Sequence, residues 1–204
     1  MSRVVRFPVN PPEKLGHQKV KRRKKKPNLE EFGQLNLFDS VQNKEAKVFR
    51  LPSGKGFFEE ALLKDDQNDK EAERLYQLAI QNGDDKEDAL CNLGIMKSEQ
   101  DQKGQAIDFL TQALQINPRH FEAHYNLANV YSDLGNLKLA QTHYEVAIEI
   151  EPEYPNSYYN LGLVLISLKQ YAKAIEVINK YIDLSPADEH GIANELVKTL
   201  KSLA

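Results

Sequence analysis

The feature that most constrains this chain is a 34-residue period: shifting the sequence against itself by that amount brings 87–120, 121–154 and 155–188 into register. Leu93, Leu127 and Leu161 share one column and are followed by the small residues Gly94, Ala128 and Gly162. Ala106, Ala140 and Ala174 form a second small column, and Pro118, Pro152 or Pro186 closes each unit. A repeat of this length is one supersecondary unit that cannot bury its apolar face alone, so neighbours must stack. The small columns predict crossings too close for a larger side chain, and Ala128→Leu is expected to overpack one at a cost of about 1–3 kcal/mol. Gly135 predicts a left-handed break between the two helices of the middle unit.

A degenerate unit, 54–86, precedes these three. Ala72, Tyr76 and Ala79 stand one period before Ala106, Leu110 and Ala113, while Phe57, Phe58, Ala61 and Leu62 mark its first helix and a turn is expected around Asp65 to Asp69. At the other end, 189–204 places Ile192, Leu196, Leu200 and Leu203 on one stripe, the pattern of a capping helix. Period and residue types together resemble the tetratricopeptide repeat over residues 54–188. The resemblance implies an all-α fold, a right-handed α-solenoid of TPR helix pairs whose first helices line a concave groove. It further implies a non-enzymatic scaffold for protein–protein interaction that binds a peptide or partner protein in that groove.

Carried onto this sequence, the family's groove positions include Asn92, Tyr125, Asn126, Asn129, Tyr159, Asn160 and Leu163. The asparagine at the same position of every full unit is similar to the asparagine ladder in the repeat domain of O-linked N-acetylglucosamine transferase. Such amides either pair with the main chain of an extended ligand, each donating and accepting, or stabilise turns and neighbouring helices. Groove positions run from acidic (Asp88, Glu99) to apolar (Leu163, Ile166), with Tyr125 and Tyr159 as flat anchors. The basic residues that clamp a ligand's C-terminal carboxylate in chaperone-binding relatives are missing from them. The expected ligand therefore carries a positive or neutral segment beside an apolar one.

The net charge of −3 hides a split: residues 1–50 hold 13 Lys and Arg against 5 Asp and Glu, which leaves 14 against 25 for the remainder. Residues 1–51 show no sustained period and read as a disordered basic arm. Lys19, Lys21, Arg22, Arg23, Lys24, Lys25 and Lys26 form a run that attracts phosphates without reading sequence. Gln34, Leu35, Leu37 and Phe38, around Asn36, resemble the pentapeptide with which bacterial proteins dock on the DNA sliding clamp. The arm thus opens an alternative, a factor recruited to DNA, RNA or the clamp. Docking of residues 19–38 in the chain's own groove is a further expectation.

Enzyme readings find little to stand on. His120 and His124 are spaced for a shared metal, but no acidic ligand follows at the right offset, and His143 and His190 read as isolated surface residues. No metal and no cofactor is expected. Cys91, the single cysteine, reads as a small apolar residue and points to a reducing compartment, hence a cytoplasmic location. The longest apolar stretch, Leu161 to Ile166, is far short of the roughly 20 residues of a membrane span.

Overall fold

The computed structural model describes residues 13–21 and 56–202. Arg22, Arg23, Lys24, Lys25 and Lys26 of the cation run, the Gln34–Phe38 motif and Leu203 of the terminal stripe lie outside these residues. Among those described, the regular structure is helical: α1 (Phe57–Asp66), α2 (Glu71–Asn82), α3 (Lys86–Glu99), α4 (Lys103–Ile116), α5 (Phe121–Asp133), α6 (Leu137–Ile150), α7 (Pro155–Ser167) and α8 (Tyr171–Leu184), then a 3-10 turn (Ala187–Glu189) and α9 (His190–Lys201). Each helix packs on the next, and α3 also touches α5 as α5 touches α7. Helices α3, α5 and α7 therefore form a continuous inner wall.

The repeat columns acquire physical roles. A Cβ on Gly94 would lie 2.8 Å from Leu110 Cγ and 3.3 Å from the Ala106 carbonyl oxygen, and one on Gly162 would lie 2.5 Å from Ile178 Cγ1. These are the close crossings of α3 with α4 and of α7 with α8. Gly135, at φ +73°, makes the left-handed break between α5 and α6. Pro118, Pro152 and Pro186 each stand two residues past the end of α4, α6 and α8, where no helical N–H is needed. In the degenerate unit Asp84 takes the proline's place, and its Oδ2 accepts from the Phe58 N–H at 2.9 Å, which caps the start of α1.

Apolar burial divides into two clusters, one including Phe58, Tyr76, Leu90, Leu93 and Leu110, the other including Tyr125, Tyr144, Leu165, Ile178 and Leu200. Helix α5 serves both: Ala123, Leu127 and Val130 enter the first, Phe121, Tyr125 and Ala128 the second. The terminal helix differs from its expected stripe. Ile192 is 60 % exposed, and the residues that α9 buries are Ala193, Leu196, Val197 and Leu200. A stripe at strict four-residue spacing drifts around a 3.6-residue helix, whereas the i, i+3, i+4, i+7 set stays on one face.

The arm, expected to be mostly disordered, has residues 13–21 laid along the inner wall. Leu15 bonds to a side chain on α7 and Val20 to one on α3. Packed helices stand about 8–10 Å apart, so five residues pass two helix spacings, and only a nearly straight chain at ~3.3 Å per residue covers that.

Candidate functional site

Asn92, Asn126 and Asn160 lie at equivalent places on α3, α5 and α7 and are buried. Each uses both ends of its amide on one residue of the segment. Asn160 Oδ1 accepts from the Leu15 N–H at 2.8 Å while its Nδ2 donates to the Leu15 carbonyl at 2.9 Å. Asn126 does the same for Gln18, at 2.9 and 2.7 Å. Asn92 does it for Val20, at 2.8 and 3.1 Å. A reciprocal pair of this kind satisfies both backbone groups of a residue and ignores its side chain. The segment runs from α7 to α3, opposite to the order of the repeats.

Tyrosines complete the polar floor. The Tyr125 hydroxyl donates to the Leu15 and Gly16 carbonyls at 3.2 and 3.0 Å. Asn160 Nδ2 also reaches Tyr125 Oη at 3.0 Å and Asn129 Oδ1 at 3.1 Å, and the Tyr144 hydroxyl donates to Asn129 Oδ1. Burial pushes the Tyr125 phenol far above its ordinary range, with Tyr154 adding to it, and burial pushes Tyr144 up likewise. Both remain neutral O–H donors.

Side chains of the segment meet defined partners. Lys14 Nζ donates to the Asn129 carbonyl at 2.9 Å and pairs with Asp133 at 2.6 Å. Burial lowers the pKa of Lys14, and Asp133 opposes that shift. Lys19 Nζ pairs at 2.9 Å with Asp65, whose other oxygen accepts from the Tyr76 hydroxyl at 3.1 Å. Burial lowers the pKa of His17, with Lys14 beside it acting the same way. Tyr154 donates to Gln18 Oε1 at 2.8 Å. Val20 is 1 % exposed and belongs to the first apolar cluster, while Leu15 packs on the second.

Family models described as tetratricopeptide repeat match residues 99–145 and 155–188, and one described as TPR repeat matches 128–168. Residues 99–188 thus match tetratricopeptide-repeat models, and the helical body has the fold of a tetratricopeptide-repeat solenoid. A UDP-N-acetylglucosamine–peptide N-acetylglucosaminyltransferase of Giardia intestinalis is 28% identical over 125 residues, 61% of this chain but 8% of that protein. The chain thus spans under a tenth of that relative's length. Among solved structures, residues 41-end of MamA from Desulfovibrio magneticus RS-1 superpose with a TM-score of 0.59 at 23% identity, over 72% of this chain and 92% of that one. The first TPR of Spaghetti, bound to HSP90 peptide SRMEEVD, gives 0.55 at 19% identity over 58% and 93%. At these identities the structures show a shared fold.

Within this tetratricopeptide-repeat body the structure brings Asn92, Tyr125, Asn126, Asn129 and Asn160 together around the segment. Tyr159 packs on Tyr181, ring centroids 5.0 Å apart, and Leu163 is partly buried against the second cluster. Cys91 is fully buried. Lys19 is paired with Asp65, and Lys21 is exposed. Of the stretch 19–38 expected in the groove, residues 19–21 lie there together with 13–18, and 22–38 fall outside the described residues. The amides hold backbone, while Val20 and Leu15 match the first and second apolar clusters. Sequence reasoning missed Asp65, which lies in the degenerate unit whose register is shifted, and Tyr154, which stands before the start of α7.

The histidines also differ from expectation. His120 Nε2 bonds to Asp88 Oδ1 at 2.9 Å, and its Nδ1 accepts from the Ala123 N–H at 3.2 Å, which caps α5. His143 is not isolated: its Nδ1 lies 3.0 Å from His124 Nδ1, because α6 folds back on α5. Among the described residues, no three His, Cys, Asp or Glu converge to hold a metal ion, and no helix is long and apolar enough to cross a membrane.

Proposed function

We propose that this chain is a protein-interaction scaffold whose inner groove holds an extended peptide by its main chain, and that residues 13–21 act as a tethered occupant of that groove. The observation that carries this reading is the threefold reciprocal pairing of Asn92, Asn126 and Asn160 with the backbone of Val20, Gln18 and Leu15. Main-chain bonding supplies affinity in the manner of strand addition, and side-chain contacts supply selection. A tetratricopeptide-repeat relative seated on an HSP90 peptide supports a peptide ligand. That peptide, SRMEEVD, is acidic, whereas the occupant here carries Lys14, Lys19 and Lys21. On this reading the protein gathers partners and performs no bond chemistry.

Amide hydrogen exchange on the full chain tests the reading. The N–H groups of Leu15, Gln18 and Val20 should exchange slowly, and an Asn92/Asn126/Asn160→Ala triple variant should release all three while α3–α8 stay protected. Free exchange of these three amides in the parent chain sinks it.

A further inference from the structure

Asparagine clamps that read only backbone would accept any extended peptide, yet side chains of the occupant, among them Lys14, Leu15, Gln18, Lys19 and Val20, are held as well. Asp133 and Asp65 stand near opposite ends of the groove, and each takes one ammonium group of the segment, Lys14 at 2.6 Å and Lys19 at 2.9 Å. Next to Lys19, Val20 is inserted into the first apolar cluster, and Tyr154 marks Gln18 through its hydroxyl. Alongside Lys19–Lys21 lies a pocket of about 480 Å³ whose lining includes Leu62, Leu63, Asp65 and Asp66. An acidic and apolar surface of this kind suits a lysine beside an aliphatic residue and rejects a carboxylate. We propose that the groove selects a partner protein carrying an extended basic peptide with the order Lys–apolar–x–x–Gln–Lys–Val, seated in the direction of residues 14–20. This rests on the main-chain reading above and adds the chemistry of the ligand to it.

The tether explains why the occupant is not the best ligand. A segment in the same chain has an effective concentration on the order of mM, so a second copy of this protein, offering the identical segment at lower concentration, does not displace it. A successful partner must fit better. Gly16 shows where: it is exposed, nothing lies within 4 Å of the place its Cβ would take, and its φ lies outside the left-handed region. A residue other than glycine loses less backbone freedom on binding there. A side chain at that place therefore supplies part of the extra affinity a partner needs.

The test uses the full chain with its own segment expelled by Lys14→Glu together with Lys19→Glu, which set carboxylates against Asp133 and Asp65 without altering the solenoid. A Val20→Asp chain is prepared in parallel, and circular dichroism verifies that at least one keeps the parent's helical signal. Fluorescein-labelled peptides with the sequence of residues 13–21 are titrated by anisotropy. The parent peptide should bind. Lys14→Ala or Lys19→Ala in the peptide should weaken it roughly tenfold each, the scale of a hydrogen bond to a charged group. Val20→Asp in the peptide should abolish binding, and Gly16→Ala should tighten it about two- to fivefold. Asp133→Asn in the protein should shrink the penalty of peptide Lys14→Ala alone, leaving the share owed to the Asn129 carbonyl, and Asp65→Asn should cancel that of Lys19→Ala alone. Equal binding of all the peptides, lost with Asn126→Ala in the protein, would overturn the side-chain order and leave the main-chain reading standing. Equal binding that survives Asn126→Ala, or no binding of the parent peptide, would overturn both.

Discussion

His124 and His143 meet through their Nδ1 atoms at 3.0 Å, and His124 Nε2 lies 3.1 Å from the Pro118 carbonyl. A carbonyl only accepts, so Nε2 carries the proton of neutral His124, its Nδ1 accepts, and His143 Nδ1–H is the donor. Burial lowers both histidines, and it brings His143 down to about 4 with help from its neighbour. In the unfolded chain a histidine titrates near pH ~6.5. Between those values the unfolded chain binds protons that the folded one refuses, so this contribution is complete above about pH 6.5 and is lost as pH falls toward about 4. Tm should therefore drop on acidification across that window, and His143→Gln should flatten part of the drop. A variant whose profile matches the parent's would show that the pair contributes nothing. Of these two rings, only the position of each was legible in the sequence, because their meeting depends on how α6 lies on α5.

Among the elements, the helix crossings follow most directly from sequence. The small-residue columns mark them, and Gly94 and Gly162 show why: each would place a Cβ inside a facing side chain on the partner helix. Gly162→Ala should destabilise by about 1–3 kcal/mol, since Ile178 must shift in a packed core. Urea denaturation measures this, and a variant as stable as the parent would mean that α7 and α8 separate without cost. The rotation of α9 was not readable. Its sequence carries two overlapping apolar sets, 192–196–200 and 193–196–197–200, and the choice falls to the face that α8 presents.

The whole molecule has two apolar clusters joined at α5 and one segment that crosses both, Leu15 on the second and Val20 in the first. A solenoid's stability is a sum of repeat and neighbour terms, and a segment that spans the repeats adds a term linking distant ones. Expelling it with Lys14→Glu and Lys19→Glu should lower Tm and broaden the unfolding transition, as the two halves lose a shared contact. A transition as sharp as the parent's would show that neighbour interfaces alone couple the halves. The split between a basic arm and an acidic body takes on a concrete form here, with Lys14 on Asp133 and Lys19 on Asp65.

The repeat, its helix pairs, the tight crossings and the asparagine column are determined by the sequence itself, because they follow from a period and from residue size, which are local properties. The choice of 13–21 as the groove's occupant, its direction, the pairing of its lysines with Asp65 and Asp133, and the facing of α9 were decided only by the tertiary structure. Each joins residues far apart along the chain, and a polar group finds such a partner only when stacked helices set the distance between them.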